Sequence, residues 1–71
     1  MKINPYVFLD FAQKVLRDDS LTAHGKDVAL AGILSQMEYV FDIPALYNAQ
    51  WASKHLDVFA VYCTIGNMRT L

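Results

Sequence analysis

The stretch VFAVYCTIG, from Val58 to Gly66, is β-rich enough for a strand and apolar enough to be buried on every side. A strand needs a side-chain period of two and a second strand to pair with, and no other segment of the 71 residues offers one. Counted forward from Ala45, however, Ala45, Ala49, Ala52, Leu56, Phe59, Ala60 and Cys63 recur mostly at steps of three and four, which is one face of a helix. The stretch reads as the last two turns of that helix, with Gly66 suited to the left-handed position just past its end. It is also far short of the ~20 apolar residues that span a membrane, so no membrane partner is expected.

Upstream of it, Pro44 suits the first turn of this third helix, because a proline's missing N–H costs nothing there. The same device opens the chain, where Asn4 is placed to cap a helix that begins at Pro5. Phe8, Leu9, Phe11, Ala12, Val15 and Leu16 then form an apolar stripe, with Asp10, Gln13, Lys14 and Arg17 opposite. Ser20 or Thr22 can cap the second helix, whose stripe is Leu30, Ile33, Leu34, Met37, Val40 and Phe41. Its other side carries Val28, Gly32, Ser35 and Tyr39. A glycine inside a helix costs ~1 kcal/mol relative to alanine, and close packing of a neighbour would explain its presence.

These patterns predict an all-α fold: one domain, residues 1–71, built as a small antiparallel bundle of three helices at 5–17, 24–41 and 44–65. Four helices result if the third breaks near residues 52–55, in the segment ASKH.

The third helix carries a second stripe, Tyr47, Trp51, Val58, Tyr62 and Ile65, roughly 140° around from the first at ~100° per residue. Both cannot face one small core if the helix is continuous. The second stripe is therefore the expected partner-binding face, most simply a two-fold homodimer contact between third helices, or a face by which a regulator or inhibitor docks on a larger protein. In the alternative arrangement the first and second helices cover one stripe each and both are buried within a monomer.

Composition agrees with an interaction role. Apolar residues make up 55% of the chain, above the usual ~45–50%, which is more than one small core needs. The net charge is -1, and Lys2, Lys14, Arg17, Lys26, Lys54 and Arg69 are scattered, so no basic track for nucleic acid is expected. The single cysteine, Cys63, cannot form an internal disulfide and fits a reducing compartment, with cytoplasmic the expected location. KINPYVFLDFA has one lysine and an apolar run interrupted by Asp10, and is not read as a leader.

Little chemistry assembles. His55 and Cys63 stand eight residues apart on one helix, ~12 Å and beyond hydrogen-bond reach, and Cys63 is expected to be a small buried hydrophobe. His24 and Asp27 at i, i+3 could supply two metal ligands, but nothing nominates the rest. Asp18 and Asp19 read as a solvated turn. No catalytic, metal or cofactor residues are assigned, and an enzyme is not expected. The other functional class is a binder of a small apolar ligand, with Phe11, Met37, Phe41 and Phe59 around a pocket. The segments DSL (Asp19 to Leu21) and MEYVFDIP resemble pieces of acyl carrier proteins, in which a serine opens the second helix. Counted back from Phe41 by that family's spacing, Asp27 and not a serine stands at the attachment position, so nothing is carried over.

Overall fold

In a computed structural model, which describes residues 3–69, four helices follow in order: α1 Tyr6–Arg17, α2 Ala23–Phe41, α3 Ala49–Lys54 and α4 Leu56–Met68. The described residues contain no strand, and VFAVYCTIG lies wholly within α4. The fold is an all-α bundle in its four-helix form, with the break in the third helix falling at His55.

Local chemistry sets each start. Pro5 has helical dihedrals, φ -62° and ψ -23°, and the Asn4 side chain accepts from the Tyr6 N–H at 2.9 Å. Thr22 Oγ1 caps α2 by accepting from the Gly25 N–H at 3.0 Å. A Cβ on Gly25 would stand 3.3 Å from that hydroxyl, so the glycine keeps the cap uncrowded. Lys26 Nζ donates to the Leu16 carbonyl at 2.9 Å, closing the end of α1.

At the far end of α2, Asp42 takes the left-handed conformation at φ 58°, and the Ile43 N–H reaches back to the Glu38 carbonyl at 3.1 Å. The expected helix start at Pro44 does not form. Residues 43–48 are irregular, and α3 begins only at Ala49, where Asn48 Oδ1 accepts from the Trp51 N–H at 3.0 Å. Asn48 is the stronger cap, and its extended φ of -131° ends any helix from Pro44.

α2 is central: it packs on α1 and α4, those two also touch, and α3 packs on α4 alone. The core is Phe8 and Ala12 from α1, Leu30, Leu34 and Met37 from α2, and Val58, Val61 and Ile65 from α4. Phe8 meets Phe41 edge-on, with centroids 5.6 Å apart. The α2 stripe is as expected except that Val40 is partly open, and on α1 Phe11 is half exposed.

Two further expectations fail. A Cβ on Gly32 would meet nothing within 4 Å, so no neighbour packs closely there. Gly66 is not past the end of α4 but inside it, and Arg69 is the C-cap.

Asp27 is buried on the inward side of α2 and forms a forked pair with Arg69, Nε to Oδ1 at 3.0 Å and Nη2 to Oδ2 at 3.1 Å. This charge-assisted fork fastens the end of α4 to the start of α2.

Candidate functional site

α4 is apolar almost all round: LDVFAVYCTIGNM. Its inward side is Val58, Val61 and Ile65, and its outward side carries Leu56, Ala60 and Cys63 together with Asp57, Thr64, Gly66 and Asn67, with Phe59 at the border. Steps of three and four place Leu56, Phe59, Ala60 and Cys63 along one strip of the helix. Leu56 is 69% exposed, where Val58 is 6% exposed. Two of these polar groups are tied to the backbone. Asp57 Oδ1 accepts from the Val58 N–H at 2.8 Å, and the Thr64 hydroxyl donates to the Ala60 carbonyl at 2.7 Å.

Tyr47 extends this strip. It sits in the irregular connection before α3, is 75% exposed, and lays its ring 5.7 Å from that of Phe59 at 53°. Leu46 beside it is also exposed.

The stripe expected to face a partner is thus mostly turned inward. Val58 and Ile65 are core residues, and the half-buried Trp51 and Tyr62 pack against that core. Of the five, Tyr47 alone stands well exposed. Conversely, Leu56, Ala60 and Cys63, assigned to the core, face outward, and Cys63 is an exposed free thiol rather than a buried hydrophobe. An all-round apolar helix carries no periodic signal to say which side faces in, so the sequence-only reading reversed it.

His24 is exposed, while Asp27 is held by Arg69. Among the described residues, no group of three or more His, Cys, Asp or Glu is placed to hold a metal ion. Asp18 Oδ1 accepts from both the N–H and the hydroxyl of Ser20, and these bonds lower its pKa in a solvent-exposed turn. Tyr62 Oη donates to Glu38 Oε2 at 2.5 Å, which pushes the phenol up to about 12.

Phe11, Met37, Phe41 and Phe59 do not surround one pocket: Met37 is fully buried, Phe41 lies on Phe8 and Phe59 on Tyr47. A groove of about 630 Å³ opens instead where the start of α1, the end of α2 and the α3–α4 junction meet. Ile3, Tyr6, Val40 and Phe41 give it apolar walls, and Lys54, His55 and Asp57 give it polar ones. Among the described residues no helix is long and apolar enough to cross a membrane. No family model, curated protein or solved structure matches the chain.

Proposed function

We propose that the protein is a small, non-catalytic interaction module, a regulator or an inhibitor, that binds a protein partner through the outward strip of α4 together with Tyr47. The observation that carries this reading is that α4 exposes apolar side chains, with Leu56 69% exposed and Ala60 and Cys63 exposed beside it. A surface helix ordinarily sets charged and polar residues opposite its core stripe, whereas α4 sets Leu56, Ala60 and Cys63 there among Asp57, Thr64 and Asn67. Tyr47 over Phe59 adds aromatic surface of the kind that dominates interface energetics. An exposed free thiol suits a reducing compartment, which supports action in the cytoplasm.

Leu56→Asp tests it. The side chain is exposed, so the variant should keep its helical circular dichroism and lose its bound partner in affinity capture from host extract. A variant that retains every wild-type interaction contradicts the proposal.

The groove beside His55 favours one second reading, binding of a small apolar ligand, because its volume of about 630 Å³ lies within the range of ~300–1,000 Å³ typical of ligand sites. Native mass spectrometry of the protein as purified decides between them: a co-purified small molecule supports the ligand reading, and a bare chain mass or a multiple of it speaks against it.

A further inference from the structure

Resting on the ligand reading of the groove beside His55, we infer that the ligand is an apolar zwitterion, a dipeptide with both ends free. Its charged ends lie at the α3–α4 junction and its apolar body lies against α1 and α2.

The walls divide by element. The junction supplies Lys54, His55 and Asp57, while the start of α1 and the end of α2 supply Ile3, Tyr6, Val40 and Phe41. Among the described residues that line the groove, Lys54 and Asp57 alone are charged, one of each sign. A wholly apolar ligand would lie against both charges and partner neither, at a cost in desolvation. An ion of one sign would partner one and repel the other. A zwitterion meets both.

Both charges are available to it. Among the described residues the ion pair is that of Arg69 with Asp27, and neither Lys54 nor Asp57 takes part in one. Asp57 Oδ1 accepts from the Val58 N–H at 2.8 Å, which leaves Oδ2 for a ligand. With His55 Nδ1 donating to the Trp51 carbonyl at 2.9 Å, Nε2 of the neutral ring is a further acceptor. An ammonium therefore suits Asp57 and His55, and a carboxylate suits Lys54.

The opposite wall sets the rest of the ligand. Ile3, Tyr6 and Val40 are exposed there beside the half-buried Phe41, a surface for branched and aromatic side chains. The volume of about 630 Å³ lies mid-range among sites of ~300–1,000 Å³ for drug-sized ligands, which favours two residues over a single amino acid.

Nuclear magnetic resonance titration with leucyl-phenylalanine and its blocked forms tests the inference. The free dipeptide should shift the amide signals of Tyr6, Val40 and Lys54. Its N-acetyl form, without the ammonium, and its C-terminal amide, without the carboxylate, should each bind about tenfold or more weakly, the loss of one charged hydrogen bond. Lys54→Gln should weaken the free and N-acetyl forms by that factor and leave the amide unchanged. Asp57→Asn should weaken the free and amide forms and leave the N-acetyl form unchanged. Both side chains are exposed, so circular dichroism should show the fold intact in each variant. Equal binding of the free, singly blocked and doubly blocked forms overturns the charge assignment while the ligand reading stands. A loss on blocking that neither variant reproduces places the recognition elsewhere and overturns the inference. If no form shifts these signals the inference fails, and the ligand reading fails with it where native mass spectrometry also finds the purified chain bare.

Discussion

The indole of Trp51 stacks on the imidazole of His55, with ring centroids 4.4 Å apart and planes 19° from parallel. His55 Nδ1 donates to the Trp51 carbonyl at 2.9 Å, which is the acceptor a continuous helix would give to the His55 backbone N–H. That N–H turns to the Ala52 carbonyl at 3.2 Å instead. Had the helix run on, Ala52 and Ile65 would point roughly 140° apart. The break brings both into the interior, Ala52 at 7% and Ile65 at 0% exposure.

Replacing His55 by alanine removes the ring stack and the bond to the Trp51 carbonyl, and lets α3 and α4 fuse. The expected cost is about 1–2 kcal/mol, from one hydrogen bond and one ring pair. Urea denaturation measures it, and the emission of Trp51 should shift as its ring loses cover. An unchanged midpoint would mean that the stack does not hold the break.

Ile65→Ala should cost about 2–5 kcal/mol, the usual loss for truncating a fully buried aliphatic side chain. Leu56→Ala, on the outward side of the same helix, should change the stability of the isolated chain by no more than ~0.5 kcal/mol. Thermal melts at low concentration compare the two. The reverse order would place α4 the other way round.

Gly32 stands mid-helix with open space where a Cβ would be. Gly32→Ala should therefore stabilise the fold by about 0.5–1 kcal/mol, by restricting the unfolded chain and improving helix propensity. A drop in the melting temperature would mean that something packs on that face after all.

Tyr62 donates its hydroxyl to the Glu38 carboxylate, and this bond, with partial burial and the adjacent negative charge adding to it, pushes its pKa from 10.0 up to about 12. Because the folded value is the raised one, the stability from this bond is fully present below pH ~10 and is lost as pH rises through ~12. Tyrosinate absorbance should show a step near pH 12 that moves toward the ordinary ~10 in Glu38→Gln. No movement in that variant would mean that the bond is not what raises the pKa.

The elements that were readable from sequence are those with a one-sided pattern or a cap beside them. Asn4-Pro5 announces α1, and Leu30, Leu34 and Met37 recur on a helix whose inward stripe is distinct. The capped start at Asn48 was masked by the stronger-looking Pro44, although asparagine ahead of a helical run is itself a start signal. The break at His55 has no glycine or proline to mark it, since a side chain rather than a backbone constraint makes it. Its one trace in the sequence is the pair of apolar stripes that a straight helix could not bury together. Asp27 and Arg69 lie 42 positions apart, and no local spacing predicts their pairing. Which side of α4 faces inward is unreadable because large apolar residues stand on both, and the exposed ones make its outward strip the candidate contact.

The most direct test is the reactivity of Cys63 toward a thiol reagent, compared between the purified chain and the complex captured from host extract. The outward strip places this thiol on the surface, where the proposed partner would cover it. Its reaction should be fast in the purified chain and slow in the complex, and Leu56→Asp should react fast under both conditions. Slow reaction of the purified chain would put Cys63 in the core and contradict the orientation of α4. Equally fast reaction with and without extract would show that nothing covers the strip.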